Sequence, residues 1–65
     1  VQAYNNRGIV YHNLKDYDQA LQSYTKAIQL NPKYAEAYLD RARLYLALGD
    51  SEKAAQDEES AAKLP

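Results

Sequence analysis

Apolar residues recur along this chain at helical spacing, in four stretches separated by polar punctuation. In "AYNNRGIVYHNL", Ala3 to Leu14, the 100° step of a helix sets Tyr4, Arg7, Gly8 and Tyr11 on one side. Gln2, Asn5, Asn6, Ile9, His12 and Asn13 fall in an arc opposite. The punctuation is "LKDYD" at 14–18, "LNPKY" at 30–34 and "LGDSE" at 48–52. Asp16 suits the cap of a second helix, with Gln19 placed to complete a capping box. Asn31 before Pro32 suits the start of a third, because proline costs little in a first turn. Gly49 suits the residue just past a helix end, where φ is positive, and Asp50 the cap of a fourth helix. The pattern therefore predicts helices near 2–14, 18–30, 33–48 and 52–63, with no competing strand signal. Such short loops make neighbouring helices antiparallel.

The frame is used twice. "AYLDRARLYLAL", Ala37 to Leu48, repeats the first stretch 34 residues later, and this offset aligns 31 pairs, ten of them identical. Ala3/Ala37, Tyr4/Tyr38, Arg7/Arg41, Tyr11/Tyr45, Asp16/Asp50 and Ala20/Ala54 are among them. A fixed period of this length marks a solenoid. Gly8 inside a helix costs about 1 kcal/mol relative to Ala, which implies a close neighbour. Ala20 on the returning helix is the expected one, with Ala42 and Ala54 repeating the pair and Tyr4, Tyr11 and Tyr24 filling the wider gaps. Arg7 and Arg41 can lay their stems on apolar surface and keep their heads wet. Asp57 is the expected carboxylate for Arg41, whereas its counterpart near Arg7 is Ser23, which offers no ion pair.

Size limits what these helices can achieve alone. A chain of 65 residues buries only about 60% of its extended surface. It has no cysteine and a single histidine, so neither a disulfide nor a structural zinc is expected to brace it. The absence of cysteine fits a reducing compartment, with the cytoplasm slightly favoured and nothing decided. No run is apolar enough to span a membrane, and no signal peptide is evident. Without an initiator Met, the chain reads as a piece of a longer protein. Net charge is −1 but uneven: residues 1–34 carry four basic and two acidic side chains, residues 35–65 four and seven. Neither half forms the basic stripe that a nucleic-acid backbone requires.

Tyr4-x-x-Arg7-Gly8-x-x-Tyr11, followed by Ala20-x-x-x-Tyr24, Ala27 and Pro32, resembles the tetratricopeptide repeat, a 34-residue helix–turn–helix unit. Tyr38, Arg41, Ala42, Tyr45, Ala54 and Ala61 repeat the resemblance. Tyr4 and Tyr38 stand in place of the usual Trp, the arginines in place of Leu, and Glu58 where an aromatic is expected. The resemblance implies an all-α fold: repeats 1–34 and 35–65, each an antiparallel hairpin, stacked as a right-handed α-solenoid of four helices. It also implies a concave peptide-binding surface. On the first repeat that surface is Gln2, Asn5, Asn6, Ile9, His12 and Asn13; on the second it is Glu36, Leu39, Asp40, Arg43 and Leu46. Asn6 matches the asparagine ladder of some members, which Asp40 breaks or alters in the second repeat. Asn5 and Ile9 stand where Lys and Asn are typical of members that clamp a terminal carboxylate, so that function is not expected.

The leading expectation is a non-catalytic interaction module for a protein or peptide partner, without cofactor, metal, nucleic acid or membrane. The alternative is a structural element whose open ends stack on other copies. The last helix, "SEKAAQDEESAAKL", has a thin apolar side diluted by Glu58 and Glu59. Either its outer side faces water, the preferred reading, or a neighbour with basic groups stacks there. An enzyme is least expected. His12 has no second His, no Cys and no carboxylate one turn away on its helix, and Asp57, Glu58 and Glu59 point in different directions.

Overall fold

The computed structural model describes residues 1–65 as four helices and no strands. They are α1 (Gln2–Asn13), α2 (Tyr17–Leu30), α3 (Ala35–Ala47) and α4 (Ser51–Lys63).

The two hairpin turns are built alike. After α1, Lys15 N donates to His12 O at 2.9 Å and Asp16 N to Tyr11 O at 2.9 Å. After α3, Gly49 N donates to Leu46 O at 3.1 Å and Asp50 N to Tyr45 O at 2.8 Å. These paired bonds satisfy carbonyls that a helix end leaves free, and they need one residue at positive φ. Gly49 fills that position at φ 81°, and Lys15 fills it at φ 63°. Each following aspartate then starts the next helix. Asp16 Oδ1 accepts from Gln19 N at 3.4 Å, and Asp50 Oδ1 from Lys53 N at 3.1 Å. One residue in the left-handed region is enough to reverse the chain.

The connection between hairpins differs from expectation. Helix α3 begins at Ala35 rather than near 33. Asn31 turns extended at the end of α2, with φ −147°. Its Oδ1 accepts from Lys33 N at 3.1 Å and its carbonyl from Tyr34 N at 3.0 Å. The Asn-Pro pair therefore makes a tight turn of its own and does not open the helix.

Each helix packs on the next, and α1 also touches α3, but α2 and α4 do not meet. The array therefore bends, with α1 and α3 on its inner side. The Cα atoms extend over only 32 × 25 × 13 Å, two helices deep at the thinnest. Little room is left for a core. Ala20, Tyr24 and Leu44 form its centre, with Tyr11, Tyr17 and Leu21 packed against it. Ala27, Ala37, Ala42 and Ala54 seal the helix crossings.

The group nearest to Gly8 is Tyr24, on the same helix as the expected Ala20. A Cβ there would lie 2.5 Å from Tyr24 Cε1 and 2.6 Å from Cδ1. The glycine thus makes room for the aromatic ring of Tyr24, which comes nearest to it. In the second hairpin the matching pair is Ala42 and the exposed Glu58, so no ring requires the space. Tyr24 is 1% exposed, and burial, assisted by the nearby Asp40 carboxylate, pushes its phenol up to about 12.

Candidate functional site

Residues of the α1/α3 side come from two helices that touch directly. Asn5 Nδ2 on α1 donates to Asp40 Oδ2 on α3 at 3.0 Å. Arg43 Nη1, one turn along α3, approaches Asp40 Oδ1 at 3.5 Å. Asp40 therefore ties the two hairpins together while leaving part of its carboxylate at the surface, its side chain being 16% exposed.

Asn5 does not belong to the open face on which its helical position sets it. It is 1% exposed, and its amide is used inside the joint between α1 and α3. The helical wheel of α1 alone gives no warning of this, because the covering group comes from residue 40. Asn5 Oδ1 is buried with no partner in the chain, which costs about 1–3 kcal/mol. The joint is thus specific in register and not a source of surplus stability.

The other expected residues remain accessible. Gln2, Asn6, Ile9 and Asn13 of α1 are exposed, and His12 is half-buried, its ring edge-on to Tyr17 at 5.7 Å. On α3, Glu36, Leu39, Arg43 and Leu46 are exposed. Ile9, Leu39 and Leu46 expose 37%, 42% and 54% of their surface, so three branched aliphatic side chains are open to solvent. Tyr34 adds a group that the sequence places only in a turn. Its hydroxyl donates to Glu36 Oε2 at 3.2 Å. Partial desolvation and that carboxylate raise its phenol above the usual value. Its place just before α3 was the only available signal. No group of three or more His, Cys, Asp or Glu side chains is placed to hold a metal.

Comparison with known proteins assigns the family. A tetratricopeptide repeat model matches residues 1–34, and a second one matches residues 23–56. The chain belongs to the tetratricopeptide repeat family. The overlap of the two matches reflects the periodicity, since a 34-residue period can be framed from more than one starting point. The chain is similar to human DnaJ homolog subfamily C member 7, at 39% identity over 86% of this chain and 11% of that protein. It is similar to human serine/threonine-protein phosphatase 5, at 38% over 94% of this chain and 12% of that protein. It is similar to the human mitochondrial import receptor subunit TOM70, at 33% over 83% of this chain and 9% of that protein. The chain thus spans about a tenth of the length of these curated relatives.

Within this tetratricopeptide hairpin pair, Arg41 has a structural post. Its Nε and Nη2 donate to Asp57 Oδ2 and Oδ1, both at 2.8 Å, a two-point ion pair as the sequence anticipates. The guanidinium lies 5.8 Å from the ring centres of Tyr38 and Tyr45. Hydrogen bonding to Asp57 raises its pKa further, against the opposing effect of burial. With side chains 18% and 7% exposed, removing the aspartate alone leaves a poorly solvated cation, which costs more than the intact pair contributes. No helix in the chain is long and apolar enough to cross a membrane.

Proposed function

We propose that this chain is a non-catalytic interaction module that takes an extended peptide across α1 and α3. Tetratricopeptide repeats generally mediate contacts between proteins, and one relative is by name a receptor subunit. The single observation that carries the finer reading is the exposure of Ile9 on α1 and of Leu39 and Leu46 on α3, with the exposed guanidinium of Arg43 on the same helix as the two leucines. Arg43 is 76% exposed at its side chain, and its only ion pair is the long one to Asp40. An arginine set between open aliphatic groups is typical of the residues that dominate binding energy. Gln2, Asn6 and Asn13 add amides that both donate to and accept from a peptide backbone.

Charge narrows the ligand. The face carries Glu36 and Asp40 against Arg43, with no cluster of cations. An acidic terminal tail finds no clamp here. A segment with aliphatic side chains, and backbone N–H groups for Asp40, fits better.

A peptide array followed by fluorescence anisotropy on the 65-residue chain tests the proposal. Arg43→Ala is expected to weaken the best ligands about tenfold, or about 1.4 kcal/mol, and Asn6→Ala by less. Ligands bound equally well by both variants would remove this face from consideration.

A further inference from the structure

We infer that the α1 edge and the α4 edge of this unit are complementary, so that a second copy of the chain stacks head to tail with Arg7 of one copy against Glu59 of the next.

The template lies inside the molecule, where α3 packs on α2. Arg41 crosses that joint, its Nη1 reaching Thr25 Oγ1 at 3.4 Å. Ala37 and Leu44, on either side of Arg41, are fully buried by the same packing. Helix α1 carries the same stripe as Ala3, Arg7 and Val10, but no helix of the chain covers it. Val10 is 57% exposed, and Leu14, which extends the stripe, is 70% exposed. Beside it an open groove of about 550 Å³, bordered by Tyr4, Arg7, Ser23 and Lys26, lies where Asp57 sits in the second hairpin.

The charges are exchanged between the two levels. Arg41 has its carboxylate within its own hairpin, Asp57, and a neutral Thr25 across the joint. Moving back one repeat, the carboxylate within the hairpin becomes Ser23, and Arg7 has only the Tyr11 hydroxyl, at 3.4 Å. Moving forward one repeat, the threonine across the joint becomes Glu59. A copy added by the same step that relates the two hairpins therefore brings an unpaired arginine to a carboxylate. Glu59 lies with Glu58 between the exposed Ala55 and Ala62, so an acidic centre with apolar flanks meets a basic centre with apolar flanks. Its present partner is Lys63 at 2.8 Å, an exposed pair on one helix that is easily displaced. The half-chain charges, +2 for residues 1–34 and −3 for residues 35–65, favour the same head-to-tail order. Such a contact is heterologous and adds copies in line without closing.

Sedimentation velocity on the 65-residue chain over a wide concentration range at low salt tests this. The chain is expected to self-associate, and less so at high salt, where exposed charges are screened. Arg7→Glu and Glu59→Arg, both at exposed positions, are each expected to weaken association at least about tenfold. In a mixture of the two variants, position 7 of either one meets the opposite charge at position 59 of the other, so mixing is expected to restore the original behaviour. That recovery also shows both variants to be folded. A chain that stays monomeric throughout overturns the inference and leaves these edges to neighbouring repeats of a longer array. Variants that associate like the original, or a mixture that does not recover, overturn it equally. Peptide binding on the α1/α3 side does not involve Arg7 or Glu59, so the two readings fail independently.

Discussion

Leu44 and Val10 stand at the same step of the two hairpins, and the structure treats them oppositely. Leu44 is fully buried against Ala20 and Tyr24, whereas Val10 is 57% exposed. Ala37 and Ala3 repeat the contrast. Position five reverses it: Asn5 is sealed beneath Asp40, and its counterpart Leu39 is 42% exposed. A polar amide is inside and a leucine outside at equivalent sites. Burial here is decided by which helix lies alongside, and residue type comes second. This is the behaviour of a quasi-one-dimensional array, in which each unit draws much of its stability from the joint with its neighbour.

The largest effect should come from Leu44. Leu44→Ala is expected to cost about 2–5 kcal/mol, because it opens a cavity at the joint between hairpins. A unit of this size holds only about 3–5 kcal/mol in total, so the variant should be substantially unfolded at room temperature. Val10→Ala should change stability by less than about 0.5 kcal/mol. Urea unfolding followed by circular dichroism measures both. Equal losses would mean that the two hairpins are equally covered, and the comparison would collapse.

Much of this arrangement was legible in the sequence because it rests on local spacing or on the repeat. Asp16 and Asp50 cap as read, although Gln19 does not close the box because Asp16 N donates to Tyr11 O; Gly49 takes its positive φ, and Arg41 finds Asp57. What escaped depends on a third helix or on competing local chemistry. Nothing in α1 shows that Asp40 will cover Asn5, so one expected member of the binding face is engaged inside. The Asn31 side chain captures Lys33 N and moves the start of α3 to Ala35, although Pro32 alone looks like a first-turn residue. The positions of α1 and α3 that do stay open are those that the helical wheel sets on one side and that no other helix covers.

Gly8 offers an intermediate effect with an informative sign. Alanine is the better helix former by about 1 kcal/mol, so an unobstructed Gly8→Ala would stabilise. A Cβ 2.5 Å from a ring that is 1% exposed must instead displace that ring. Overpacking of this kind costs about 1–3 kcal/mol, so the helix gain is at least cancelled and the variant should lose up to about 2 kcal/mol net. A double-mutant cycle with Tyr24→Leu isolates the cause, since the penalty should vanish once the ring is gone. A penalty that persists would return the glycine to the role of separating helix backbones.

The smallest effect tests the one place where the two turns use different residues for the same bonds. Lys15 holds φ 63° where Gly49 holds 81°, and the flanking hydrogen bonds correspond one for one. An L side chain in this region costs about 1–2 kcal/mol, and Lys15 is exposed with no polar partner to offset it. Lys15→Gly removes that strain but gives the unfolded chain more freedom, so the expected net gain is about 0.5–1 kcal/mol. Gly49→Ala should lose about the same amount, because the turn after α3 then acquires the strain already present after α1. Thermal unfolding of both variants reads the two signs directly. A loss for Lys15→Gly would show that the lysine side chain contributes to the first turn, and the two turns would then be alike in backbone only.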